Sequence, residues 1–191
     1  ETAIRCGADV LMIQDSRWDD VSLRQTENRL LRAWARGAMW SKNWRGSQPQ
    51  RLRHGNFIAV RGKWADRVRG TVDDPRGWAR FGGVVLDGAS GSVAFITQYA
   101  PTFSRTGADV KWQVNEISKL KLKTNPWELH RKDLCEVIVG LRLQGIQVVT
   151  AGDTNTTWDL RVRIHELGGK ALEHRKAWLE VMEAAGLASA M

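Results

Sequence analysis

Cysteine is scarce. The chain has two, Cys6 and Cys135, far apart and in no metal-ligand spacing. Such a pair builds no disulfide framework, so a reducing, intracellular compartment, cytoplasmic or nuclear, is expected, with no disulfide-linked partner. Long apolar runs are missing too. The longest reach about half of the ~20 residues that a membrane span requires, so no membrane partner is expected. The sequence starts on Glu1, and no signal peptide is expected.

The common site signatures are also absent. In "GDTNTTW", Trp158 stands where a calcium loop needs its sixth-position glycine. "ELGGKA" lacks the first glycine of a phosphate loop and has Ala171 in place of Ser/Thr. "GASGS" lacks the fifth-position glycine of a nucleophile elbow. No Cys/His cluster has zinc spacing. His54, His130, His165 and His174 are dispersed, which suits surface or helix-face positions better than ligation.

What the chain does have is positive charge. Its 191 residues carry 29 Lys and Arg against 21 Asp and Glu, a formal net charge of +8, and 42% are hydrophobic. That is enough for one domain with a core, or most of a larger one. The excess favours anionic partners, nucleic acid first. Between Arg24 and Arg69 the only acids are Glu27 and Asp66. Arg45, Arg51 and Arg53 are candidate phosphate contacts there. Trp44, with Trp40 and Trp64, is a candidate stacking platform. The same stretch also suits a solvated helix face and loop with its tryptophans in the core.

Periodicity orders the chain. "ADVLMIQD" reads as a short buried strand. "SLRQTENRLLRAWARGAMW" reads as an amphipathic helix fraying near Gly37, and "SKNWRGSQPQRLRHG" as a basic loop. "NFIAVRG" and "ADRVRGTV" read as strands. "RFGGVVLDGASGSVAFITQYAP" is a hairpin about the turn cluster after Asp87. "GADVKWQVNEISKLKLK" is a helix. "NPWELHRKDLCEVIVGLRLQG" is another, with Asn125 as N-cap, Pro126 at the first position and Gly145 as stop. "IQVVTAG" reads as a buried strand, and "GKALEHRKAWLEVMEAAG" as a closing helix that Gly186 stops. The order predicts a layered α/β chain with antiparallel pairing.

Three polar sites fall at predicted strand ends. They are "MIQD" with Gln14 and Asp15, "TQYAP" with Tyr99 and Pro101, and "AGDTN" with Asp153 and Asn155. The last suits a turn, and it equally suits a catalytic edge. In this order the motifs resemble the endonuclease/exonuclease/phosphatase superfamily, with its "QE", "Y-x-P" and "GDxN" motifs. "HGNFIAVR" is similar to that family's glycine-led strand. Thr154 replaces the usual aromatic, and Asp15 stands where the family has glutamate.

The resemblance implies a four-layer α/β sandwich, two packed mixed β-sheets flanked by helices, as a single partial domain over residues 1–191. It implies a Mg2+- or Mn2+-dependent phosphodiesterase. Asp153 would align or deprotonate the attacking water, Asn155 and Tyr99 would hold phosphate oxygens, Asp15 would hold the metal and Gln14 would support the site. A two-residue spacing on an extended segment would aim Asp153 and Asn155 to one face. Asp15 is one methylene shorter than glutamate, so metal ligation would need a shift or a bridging water. The family's first-strand Asn would precede Glu1, and its Asp-His ending would follow Met191. The isolated fragment is therefore expected to be inactive and its parent to carry further domains of a longer polyprotein. The positive charge favours nucleic acid as partner; the resemblance implies DNA foremost and an endonuclease of retrotransposon type. The alternative is a degenerate, non-catalytic nucleic-acid-binding module of the same fold.

Overall fold

The computed structural model describes residues 7–14, 20–33, 37–45, 52–101, 108–155 and 169–187. Its elements are β1 (Val10–Ile13), α1 (Asp20–Ala33), β2 (Gly37–Arg45), β3 (Leu52–Arg61), a 3-10 segment (Gly62–Arg67), β4 (Val68–Asp73), β5 (Phe81–Gly88), β6 (Gly91–Tyr99), α2 (Ala108–Lys119), α3 (Pro126–Leu143), β7 (Gln147–Asp153) and α4 (Gly169–Ala184). The chain divides into two compact units. One holds Glu1–Tyr99 with Leu141–Gly152; the other holds Ala100–Gly140 with Asp153–Met191. Among the described residues no helix is long and apolar enough to cross a membrane.

The first unit contains a three-stranded sheet, β1-β3-β2, and a four-stranded sheet, β4-β5-β6-β7. β3 explains how they stack. Alternate side chains of a strand point to opposite faces. Ile58 and Val60 meet Val84 and Leu86 of β5, joined by Val10, Met12, Val68 and Phe95. Phe57 and Ala59 face the other way, against Leu30 of α1 with Leu11 and Ile13. A strand buried on both faces needs a continuous apolar run, which "NFIAV" supplies. Helix, sheet and sheet are thus stacked in this unit, as an α/β sandwich requires.

The chain departs from expectation in three places here. The first helix ends at Ala33, and Gly37–Trp40 are strand, with Gly37 opposite Arg61. Glycine disfavours helix by about 1 kcal/mol, and a paired neighbour outweighs weak periodicity. The expected basic loop is largely a hairpin: β2 pairs with β3 up to Arg45 opposite Leu52. Sheet pairing tolerates polar residues that mask a strand in the sequence. Third, β7 is not buried. Its exposure alternates and then opens, because among the described residues it borders the four-stranded sheet on one side only.

The second unit is helical. Asn125 caps α3 as expected, its Oδ1 accepting the Glu128 N–H at 3.0 Å. Pro126 opens the helix with no N–H to satisfy. Leu129, Leu134 and Ile138 of α3 are buried, as are Val110, Trp112 and Ile117 of α2. His130 meets Trp178 of α4 edge-on, with ring centroids 5.8 Å apart. His130 and His174 are therefore core residues on helix faces rather than surface ones. Gly145 and Gly186 adopt the positive φ that ends α3 and α4.

Candidate active site

In the first unit the space between the sheets changes character along its length. Past the apolar cluster, the last β1–β3 pair is Ile13 with Phe57. The residues beyond that pair are polar, Gln14 just after β1 and Asn56 on β3. Gln14 Nε2 donates to Thr97 Oγ1 of β6 at 2.9 Å, which ties the two sheets together. Thr97 and Tyr99, two residues apart, share that face of β6. Asn56 is fully buried. Its Nδ2 donates to the Ala79 carbonyl at 2.7 Å, while its Oδ1 has no partner.

A buried ion pair holds the start of β5. Arg80 reaches Asp74 through Nε at 2.8 Å and Nη2 at 2.7 Å. The Asp74 carboxylate also accepts the backbone N–H groups of Arg76 and Arg80. Both side chains are at most 1% exposed. The Arg80 guanidinium lies 5.0 Å from the Trp78 ring and 5.7 Å from that of Phe81. The Arg80 carbonyl accepts the Tyr99 N–H at 2.8 Å, so this pair fixes the backbone of the chain's only tyrosine.

The "GDTN" segment resolves into two parts. Gly152, in the first unit, lies against Gln98 of β6 so closely that a Cβ would stand 2.0 Å from the Gln98 carbonyl oxygen. In the second unit, Asp153 Oδ1 accepts the Asn155 N–H at 2.7 Å. This is an Asx turn, and Asn155 is left-handed at φ 49. The expected extended spacing with both side chains on one face does not hold, because the chain turns at Thr154. Asn155 Nδ2 instead donates to the Ala100 carbonyl at 2.5 Å, and Asp153 O accepts the Ala100 N–H at 2.8 Å. Trp127 Nε1 donates to the Pro101 carbonyl at 3.0 Å. The backbone of "AP" is thus fastened by the turn and by α3, and the Asp153 carboxylate stays exposed.

Asp15 and Arg51 lie outside the described residues, as do the side chains of Trp40, Trp44, Arg45 and Arg53. Trp44 and Arg45 are on β2 and Arg53 is on β3. Trp64 packs against the inter-sheet core, with Lys63 and Arg67 5.3 and 5.2 Å from its ring centre. It serves packing and cation binding rather than a free stacking face. Among the described residues, no three of His, Cys, Asp and Glu lie close enough together to hold a metal. Sequence reasoning missed Asn56, Asp74 and Arg80. For Asn56 a signal existed: an amide next to the apolar run Phe57–Val60.

No protein-family model matches the sequence, and no curated protein does. Solved structures do. The chain is similar to ANGEL2, a 2′,3′-cyclic phosphatase, in complex with adenosine-2′,3′-vanadate. The TM-score is 0.51 at 14% identity, over 83% of this chain and 43% of that one. Looser likenesses are to an endonuclease/exonuclease/phosphatase family protein from Leptotrichia buccalis (TM-score 0.48, 11% identity, 96% of this chain, 63% of that one) and to D. rerio TDP2 complexed with single-stranded DNA product (0.41, 13%, 99% and 56%). The fold of the chain is thus similar to that of the ANGEL2 structure. The chain spans less than half the length of the first of these structures.

Proposed function

We propose that these residues form part of a metal-dependent phosphodiesterase that cleaves nucleic acid, DNA foremost, as an endonuclease of retroelement type. The observation that carries it is the polar end of the inter-sheet space, where Gln14, Asn56 and Thr97 succeed a wholly apolar cluster. A buried amide oxygen costs stability unless something satisfies it, as at Asn56 Oδ1; a polar substrate or ion gives it a use.

The roles follow from side-chain chemistry. Asp153 is an exposed carboxylate on a rigid turn, suited to orient a water and take its proton. Tyr99 offers a phenol to a phosphate oxygen, on a backbone anchored to Arg80. The Asn155 amide can donate to phosphate once it leaves the Ala100 carbonyl. The oxygens of Asp15, Gln14 and Asn56 fit an oxygen-seeking cation, and the unpartnered Asn56 Oδ1 supports the fit. When bound, magnesium or manganese would neutralise charge on the phosphate. The excess of lysine and arginine supplies affinity for the polyanion.

The engaged Asn155 amide favours one competing reading, a non-catalytic nucleic-acid-binding module of this fold. Plasmid nicking by the full-length protein in which these residues occur decides between them. Metal-dependent nicking that Asp153→Ala lowers by about 10²–10⁴-fold, with DNA affinity kept, supports the enzyme. Binding without nicking, with log K falling by ~0.9 per phosphate contact as log salt rises, supports the module. Nicking in excess chelator refutes the metal-dependent mechanism.

A further inference from the structure

We propose that Asn56 belongs to the divalent-cation site, its side-chain carbonyl giving an uncharged oxygen to the hydrated ion. This rests on the metal-dependent reading above and extends it to a residue outside the motifs that suggested it. Three observations support it. First, Asn56 is fully buried, and among the described residues its Oδ1 has no hydrogen-bond partner. An unsatisfied buried acceptor is costly, so an ion or water that satisfies it is favoured. Second, its Nδ2 is held by the Ala79 carbonyl at 2.7 Å. That bond settles which end of the amide is the acceptor and prevents the group from turning away. Third, strand register places Asn56 one step past the Ile13–Phe57 pair that ends β1, and Gln14 is the residue that follows Ile13. The next residue in sequence is Asp15.

The alternation along β3 gives the direction. Ile58 and Val60 face the four-stranded sheet, and Asn56 shares their parity. The free oxygen therefore lies on the inter-sheet side, as does Gln14, which reaches Thr97 across that space. A neutral oxygen suits magnesium, which binds few carboxylates directly and keeps several waters.

The test is binding of Mn2+ alone, followed by electron paramagnetic resonance, to the parent chain and two variants, with circular dichroism to check folding. Asn56→Leu removes the oxygen. The expected loss is about 10–100-fold in Mn2+ affinity, the usual effect of removing a supporting partner at a metal site. Asn56→Asp keeps the oxygen and adds charge. Its carboxyl, buried, holds its proton until the ion displaces it. Affinity for Mn2+ is expected to exceed that of the parent above pH 7 and to rise more steeply with pH. Equal Mn2+ affinity for the parent and a folded Asn56→Leu would overturn the proposal, because a buried water would then be the sole partner. Should Asn56→Leu fail to fold, an Asn56→Asp affinity no higher than the parent's overturns it. A parent that binds no Mn2+ overturns the metal-dependent reading and this proposal together.

Discussion

Gln14 and Thr97 are 83 residues apart in sequence and 2.9 Å apart in the fold. Their bond is the link between the ends of β1 and β6, and one of its partners, Thr97, is fully buried. Thr97→Val keeps the shape and removes the hydroxyl. A loss of about 0.5–1.5 kcal/mol is expected, with a coupling to Gln14→Leu in a double-mutant cycle. Urea denaturation of the four chains measures it. Fully additive losses would show that the two side chains do not interact.

Gly152→Ala places a methyl group 2.0 Å from the Gln98 carbonyl oxygen, 2.7 Å from Gln98 Cγ and 2.8 Å from Gln98 C. Two of those atoms are backbone and cannot swing aside. Stability should fall by about 1–3 kcal/mol, the usual range for overpacking. Thermal denaturation tests this, and an unchanged midpoint would mean that β6 and β7 do not approach so closely.

Breaking the Asp74–Arg80 pair on one side leaves an uncompensated charge in the core. Asp74→Ala and Arg80→Ala should each cost about 3–5 kcal/mol. Replacing both residues with apolar side chains of similar volume should cost much less than the sum. Chemical denaturation of the singles and the double distinguishes this from simple additivity.

Burial, and then the neighbouring Arg131, depress the His174 pKa to about 4 from an ordinary value near 6.5. Between those values the unfolded chain binds the proton that the folded chain refuses, so the unfolded state gains as acid is added. The stability contribution is complete above about pH 6.5 and is lost as pH falls towards 4. Thermal midpoints measured from pH 7 to 5 should therefore decline, and His174→Phe should flatten the decline. A parallel decline in the variant would assign the effect to other groups.

Local rules exposed much of this molecule in the sequence. Asn125, Pro126 and Gly145 marked the ends of α3 because capping chemistry is local. The β5–β6 hairpin was legible because its apolar runs flank a turn cluster. The β2–β3 hairpin was not, because its polar residues carry no alternation and its stability comes from pairing over distance. Asn56 and Arg80 stayed hidden for a related reason. A buried amide or guanidinium is defined by what surrounds it, and Asp74 reads as an ordinary turn residue until Arg80 folds back on it. The "GDTN" segment gave both possibilities from the start, and the Asx turn is present whichever function holds.

Gly152 carries a consequence for how such chains diverge. Its small size answers to the Gln98 backbone, and the demand is the same whether or not the protein cleaves anything. The exposed Asp153 side chain answers to no core packing. Position 152 should therefore stay glycine, while position 153 should vary among the short polar residues that can close the turn. The two halves of one dipeptide would then diverge at different speeds.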